Sequence, residues 1–318
     1  MPEAFYTDYP WADLDVERSI LAEADCTLRE ASNNREETLA TEVGAADAIM
    51  TCWAPTSARV IDAAPNCRHI ARTGIGLDNI DVVRATERGI VVTNVPDYCI
   101  EEVAEHALAM IFALGRKIAD GHLATKRGVY DLVATLPVER IAGKTLGVIG
   151  LGRTGTLLAE KAAAVGMRVI GTNRSRRTPA GVQWAPLETL LAQSDYVSLN
   201  CPLTDQTRRI LRAETLAAMK PTAFVVNTSR GGLIDHDDLA AAIDTGQIAG
   251  AALDVQDEEP PDLSRAPYND PRVIVTPHTA FCSTEAILEL RTRVARQVVA
   301  VLRGERPENV VNPAVLGG

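Results

Sequence analysis

Thr145-Leu146-Gly147-Val148-Ile149-Gly150-Leu151-Gly152-Arg153-Thr154-Gly155 decides the fold. Residues of strand character run into a Gly-x-Gly-x-x-Gly turn, and an Ala- and Leu-rich stretch of helical period follows to about Val165. In a strand–turn–helix setting each glycine has a task. Gly150 permits the tight turn, Gly152 lets backbone approach a pyrophosphate, and Gly155 lets the helix pack closely on the strand. The helix N-terminus adds N–H donors for the anion. The bare motif is a weak signal and would also suit an ordinary strand–helix junction. The apolar strand before it, the helix after it and the next strand at Met167–Thr172 turn the reading towards dinucleotide binding.

Outward from this turn, apolar runs recur at 195–200, 223–228, 248–255 and 272–277, separated by helical patterns near 153–165, 187–193, 208–219 and 237–245. Six strands alternating with helices predict a doubly wound α/β sheet. Upstream, from residue 1 to about 92, short apolar segments such as EAFY, ADAIMT and IVVTN alternate with helical ones such as LDVERSILAEA and NIDVVRATERG. This predicts a second parallel α/β unit. Residues 101–117, opened by acids and closed by bases, read as one long helix joining the two domains and contributing to a subunit interface. The final helix, 284–303, lies beyond the last strand, so the expected division is 1–98 with 283–318 against 99–282, the two domains packing around a cleft.

At 318 residues, with 46% hydrophobic residues, the chain is long enough for two domains with cores of their own. A net charge of −10 gives no attraction for nucleic acid or an anionic membrane. The six cysteines lie far apart with no C-x-x-C pair and no clustered His, so no disulfide framework and no metal site is expected, and a reducing cytoplasm fits best. MPEAFYTDYPWADLD carries acids and prolines where an export signal needs a basic and then an apolar region, and nowhere do 18 apolar residues run together. A soluble, non-secreted protein is expected.

The strand at Met167–Thr172 leads into Asn173-Arg174-Ser175-Arg176-Arg177. Asn173 stands where a dinucleotide fingerprint expects the acid that holds the adenosine ribose. A carboxylate would repel a 2′-phosphate, whereas a neutral Asn173 followed by three arginines offers a charge-assisted cradle for one. NADP(H) is therefore favoured and NAD(H) is the alternative; a merely solvated basic loop is the bland reading.

Arg230, Glu259 and His278 each fall at or near the C-terminal end of an expected strand, the edge where open α/β sheets bind ligands. Arg230 precedes Gly231-Gly232, a turn that aims its guanidinium at a carboxylate and at a carbonyl oxygen gaining negative charge. His278 follows Pro277, and Glu259 could favour its imidazolium and keep a proton ready for an alkoxide. A solitary His is as often structural, and residues alone do not rank Glu259 above Asp257 and Glu258.

GKTLGVIGLGRTG, CPLTDQTR, VVNTSRGGLID, GAALDVQDEEPP and VIVTPHTAF, in this order and spacing, resemble the D-isomer-specific 2-hydroxyacid dehydrogenases over nearly the whole chain. The resemblance implies a Rossmann-type coenzyme domain inserted into a flavodoxin-like substrate domain, and a homodimer built largely on the coenzyme domains. It implies an Arg–Glu–His triad at Arg230, Glu259 and His278. It also implies coenzyme contacts at Gly150, Gly152, Arg153, Thr154, Gly155, Cys201, Pro202, Thr207, Thr228, Ser229 and Asp254, the last accepting from the nicotinamide amide. Thr73-Gly74-Ile75-Gly76 resembles the substrate loop, with the N–H groups of Ile75 and Gly76 facing a carboxylate; without the resemblance it reads as a glycine turn before a helix. The implied reaction is NAD(P)H-dependent reduction of a small 2-keto acid to its D-2-hydroxy acid.

NVPDYCIEEVAEHAL and PHTAFCSTEA are most similar to the subgroup near the C-terminal-binding protein corepressors, which makes a coenzyme-sensing scaffold the alternative. Oxidation of formate or phosphite on the same fold is a third reading. Formate needs no proton relay, so Glu259 counts against it. Asn173 departs from the family's acid, and Phe281-Cys282 stands where the corepressors resemble Trp-Tyr. Trp53, Tyr98 and Phe281 are expected near the pocket wall.

Overall fold

The central strands of the two sheets are mostly apolar because parallel sheets are covered on both faces, whereas the edge strands are more polar. The computed structural model describes residues 1–133 and 136–317. Its contacts divide the chain into two units, Met1–Tyr98 with Ser283–Gly318, and Cys99–Cys282.

The first unit runs β1 (Glu3–Tyr6), α1 (Asp15–Leu21), β2 (Thr27–Glu30), α2 (Glu36–Glu42), β3 (Ala48–Thr51), α3 (Ala58–Asp62), β4 (His69–Arg72), α4 (Val82–Glu87) and β5 (Val91–Thr93). All pairings are parallel, in the order β2-β1-β3-β4-β5, with the reversal of direction between β1 and β3. One face buries Phe5, Ile49, Ile70 and Val92 against Leu39, Val60, Ile61 and Ala85. The tail after the last helix covers the free edge of β5. There the Asn312 side chain accepts from Val92 N at 2.8 Å and donates to Ile90 O at 2.9 Å.

The second unit runs α5 (Ile100–Gly115), α6 (Ile118–Lys126), β6 (Thr145–Ile149), α7 (Arg153–Ala164), β7 (Arg168–Thr172), β8 (Gln183–Trp184), α8 (Leu187–Gln193), β9 (Tyr196–Leu199), α9 (Ala213–Leu216), β10 (Phe224–Asn227), α10 (His236–Asp244), β11 (Gly250–Leu253) and β12 (Val273–Val275). Its sheet has the order β12-β11-β10-β9-β6-β7-β8, again parallel, reversing between β6 and β9. Successive side chains go to opposite faces. Thus Ile149, Val225 and Ala251 enter one apolar cluster and Val148, Val226 and Ala252 the other. The chain then completes the first unit with α11 (Thr284–Leu302). Within that unit Arg291 on α11 makes a two-pronged contact at 2.9 and 2.7 Å with the fully buried carboxylate of Glu17 on α1, the fork geometry that suits a buried ion pair.

Several elements differ from expectation. The sheet has a seventh strand, the two-residue edge β8. The helix expected over 101–117 ends at Gly115. Lys117 adopts a left-handed conformation at φ 50°, and a separate helix, α6, begins after it with no buried residue to mark it in the sequence. The helix expected over 208–219 shrinks to α9. Arg209 is left-handed at φ 52°, and the backbone of Leu211 bonds instead with Leu233 and Asp235, at 3.1 and 2.8 Å. α2, with Leu39 as its one buried residue, gives too little periodicity to be read in advance.

Candidate active site

The glycine turn separates what the chain itself requires from what it leaves open. Gly150 sits at φ 99°, and a side chain there would collide with the carbonyl of Asn200, where the loops after β6 and β9 part. A side chain at Gly155 would strike the carbonyl of Gly150. Gly152 is different. Its φ of −77° suits any residue, and a Cβ there meets nothing within 4 Å. This open space lies at the N-terminus of α7, whose N-cap residue, Gly152, has no side chain with which to cap the first turn. Uncapped N–H groups at the positive end of a helix dipole make a site for an anion.

Along the same C-terminal sheet edge stand buried polar atoms with no partner among the described residues: Asn173 Oδ1 after β7, Asn200 Oδ1 after β9 and Thr228 Oγ1 after β10. Buried polar atoms are ordinarily satisfied, so this edge fits a polar ligand such as a dinucleotide. Asn200 carried no sequence signal, because its position beside the glycine turn follows from the β6–β9 pairing. Asn173 Nδ2 donates to Arg177 O at 2.6 Å and Ser175 Oγ accepts from Arg177 N at 3.4 Å, closing the arginine loop on itself. Arg174, Arg176 and Arg177 are exposed, and Arg176 lies 5.0 Å over the ring of Trp184. Thr207 organises its own turn, its hydroxyl donating to Pro202 O at 2.7 Å and accepting from Thr204 N at 2.8 Å. Burial pushes the Cys201 thiol up to about 11, so no thiolate forms beside an anionic ligand. Ser229 Oγ donates to Leu199 O at 2.8 Å.

Arg230, Glu259 and His278 all follow strands of this sheet, β10, β11 and β12. Arg230 caps a short 3-10 turn through Gly231; a side chain at Gly231 would collide with the backbone at Gln256. The Arg230 carbonyl is held by Asn227 Nδ2 at 2.8 Å, and its Nη1 donates to Ser229 O at 2.7 Å. Glu259 Oε1 accepts from Gln256 N at 2.9 Å, while Oε2 lies 2.6 Å from His278 Nδ1. Burial acts to raise the Glu259 carboxyl. The bond to His278, its charge, the Gln256 N–H and the Arg230 guanidinium outweigh burial and hold it below the usual carboxylate range. An ionised Glu259 therefore accepts a hydrogen bond from His278 Nδ1–H.

The turn bearing His278 is built on Asp254. His278 is left-handed at φ 52°, and its N–H donates to Asp254 O at 2.8 Å. The fully buried Asp254 carboxylate accepts from Thr276 Oγ1 at 2.6 Å, Thr279 N at 2.9 Å and Ala280 N at 2.9 Å. The aspartate expected at the nicotinamide amide thus also anchors the turn that bears His278. Because the Thr276 hydroxyl donates to Asp254, the 3.2 Å contact of His106 Nε2 with Thr276 Oγ1 must run from His106. His106, on α5, is a neighbour that sequence reading missed; it was one polar ring in an apolar helix.

In the first unit, Gly74 is held at φ 147°, and Arg72 ties the loop by donating Nε to Gly76 O at 2.7 Å and Nη1 to Thr73 O. Thr73 N and Gly74 N find backbone acceptors at 2.8 and 2.9 Å. Among the described residues, no acceptor stands at the N–H groups of Ile75 and Gly76.

Residues 108–280 match the family model described as D-isomer specific 2-hydroxyacid dehydrogenase, NAD binding domain. Glyoxylate reductase of Korarchaeum cryptofilum is 40% identical over 82% of this chain and 81% of its own length. D-3-phosphoglycerate dehydrogenase of Synechocystis is 40% identical over 84% of this chain, which spans 49% of that relative. The solved glyoxylate reductase of Paecilomyes thermophila superposes with a TM-score of 0.88 at 28% identity, covering 98% and 99% of the two chains. Fold, coenzyme edge and relatives agree: the chain belongs to the D-isomer-specific 2-hydroxyacid dehydrogenases and is an NAD(P)-dependent enzyme transferring hydride between coenzyme and a 2-keto or 2-hydroxy acid.

Proposed function

We propose that the chain works as a reductase of a small 2-keto acid with NADPH as preferred coenzyme, and that Arg230, Glu259 and His278 carry the chemistry. The observation that carries this reading is the 2.6 Å contact of His278 Nδ1 with Glu259 Oε2 at the C-terminal edge of the coenzyme sheet. The nicotinamide, when bound, supplies the hydride to C2. His278 gives its Nε2 proton to the carbonyl oxygen as that oxygen gains charge, and Glu259 orients the ring through Nδ1. Arg230 binds the substrate carboxylate and polarises the carbonyl.

Preference for NADPH rests on the loop after β7. Its exposed guanidiniums at Arg174, Arg176 and Arg177 form no ion pair among the described residues, and no carboxylate stands at position 173 to repel a 2′-phosphate. We also infer a homodimer. The stretch after α5 exposes Ile118, Leu123, Val129, Tyr130 and Leu136, apolar side chains close together in the chain that a partner subunit would cover. Among the described residues no helix is long and apolar enough to cross a membrane. All six cysteines are free thiols, which suits a reducing cytoplasm.

Steady-state reduction of glyoxylate, pyruvate and hydroxypyruvate, each with NADPH and NADH, tests the reading. Arg230→Ala is expected to lower kcat/KM by roughly 10²–10³-fold while coenzyme affinity is kept. Unchanged turnover would remove Arg230 from the mechanism.

A further inference from the structure

The relatives divide between enzymes named for glyoxylate, which has no side chain, and for 3-phosphoglycerate, which carries a phosphate at the far end. One residue of this chain bears on that division. Asp8 follows β1, and its carboxylate reaches the loop after β3. There Oδ1 accepts from Cys52 N at 3.1 Å and Ala54 N at 3.2 Å, and Oδ2 accepts from Trp53 N at 2.8 Å. The Thr7 hydroxyl adds a fourth bond at 2.7 Å.

Three successive N–H groups converging on one point form a backbone nest, a concavity made for an anion. It lies outside the carboxyl ends of β1 and β3, where the strand order reverses. That is the position at which open α/β sheets place their ligands. The same edge carries the loop after β4, tied to the β1 end through Tyr6 Oη and Thr73 Oγ1 at 3.1 Å. Adjacent strands are about 4.8 Å apart, so Asp8 stands two strands, roughly 10 Å, from the Ile75 and Gly76 donors along the edge. A phosphate on a three-carbon 2-keto acid extends over a comparable span.

We propose that Asp8 determines the substrate class by filling this nest with the protein's own carboxylate. An incoming phosphate or second carboxylate then finds the donors taken and meets a like charge. Asp8 is half-buried and forms no ion pair among the described residues. The exposed Trp53 indole follows on the same loop. The accepted substrates are 2-keto acids whose C3 substituent is absent, small or neutral. This inference rests on the reductase reading above and sharpens it.

The test is the ratio of kcat/KM for hydroxypyruvate to that for 3-phosphohydroxypyruvate, measured with NADPH for wild type and Asp8→Asn. Asparagine keeps an acceptor for the nest and removes the charge. The wild-type ratio is expected to be about 100 or more, and Asp8→Asn should narrow it about tenfold, through KM for the phosphorylated substrate. A wild-type ratio near one overturns the proposal, as does an Asp8→Asn effect equal on both substrates, which marks a merely structural role.

Should Asp8→Asn fail to fold, the wild type alone decides. Raising ionic strength from about 0.05 to about 0.5 M should lower KM for the phosphorylated substrate relative to that for hydroxypyruvate, because salt screens the repulsion by Asp8 while its weakening of the Arg230 attraction to the shared carboxylate is common to both. Equal salt responses overturn it. Turnover of hydroxypyruvate with the ratio near one rejects only the role of Asp8, whereas failure to reduce any 2-keto acid rejects the reductase reading beneath it.

Discussion

The Nδ1 of His278 lies 2.6 Å from Oε2 of Glu259, and Oε1 of the same carboxylate is held by the Gln256 N–H at 2.9 Å. Both oxygens are thus fixed, and the ring can be aimed only one way. Glu259 is held below the ordinary carboxylate range, so it stays charged on the acid side of neutrality. A contacting anion favours the charged form of its partner. Glu259→Gln keeps a hydrogen-bond acceptor but loses that charge. The pH dependence of keto-acid reduction should therefore change in this variant. A pH–rate profile of kcat/KM measures this, and a superimposable profile would count against the pairing.

Gly152 and Gly155 are three residues apart and should fail in opposite ways. A methyl at Gly152 enters open space on an ordinary backbone, so Gly152→Ala should leave Tm nearly unchanged while raising the KM for coenzyme about tenfold. Gly155→Ala forces a methyl into the Gly150 carbonyl and should cost about 1–3 kcal/mol of stability. Thermal melts beside coenzyme titrations separate the two. A destabilised Gly152→Ala with normal coenzyme affinity would refute the pyrophosphate role.

Asn173 donates Nδ2 to Arg177 O at 2.6 Å, a bond that aspartate cannot make. Asn173→Asp should therefore both loosen the arginine loop and place a negative charge where a 2′-phosphate is expected. The ratio of kcat/KM for NADPH to that for NADH should fall by about tenfold or more. A ratio that does not move would leave the three arginines as surface charge.

The strands were legible because parallel strands buried on both faces are continuous apolar runs: every residue of Thr145–Ile149 is buried. Helices with little or nothing buried were not, as α2 and α6 illustrate. Arg230, Glu259 and His278 could be named from the order of family motifs, each of which runs through a strand and into the loop that follows it. Residue chemistry alone did not rank Glu259 above Asp257 and Glu258; the resemblance singled it out, and it is Glu259 that lies 2.6 Å from His278 Nδ1. Asn200, His106 and Asp8 were out of reach for a different reason. Asn200 acquires its place from the β6–β9 pairing, His106 from α5 meeting Thr276, and Asp8 from the register of β1 with β3. Such contacts join residues far apart in the chain, and local patterns carry no trace of them.

Stability in acid should be governed in part by His69. The ring is fully buried on β4, with Nε2 2.9 Å from Thr93 Oγ1, whose hydroxyl donates to Gln297 Oε1 at 2.8 Å. That hydroxyl proton is committed to Gln297, so His69 Nε2 is the donor to Thr93. Burial drives the imidazole down to about 3 from an ordinary value of 6.5. Over the interval between, the unfolded chain binds a proton that the folded chain refuses. Stability is therefore complete above about pH 6.5 and falls as pH drops towards 3, by up to about 5 kcal/mol. His69→Gln retains a donor for Thr93 without the titration, and its denaturant midpoint should vary less between pH 7 and pH 4 than that of the wild type. Parallel curves for the two proteins would show that other groups control unfolding in acid.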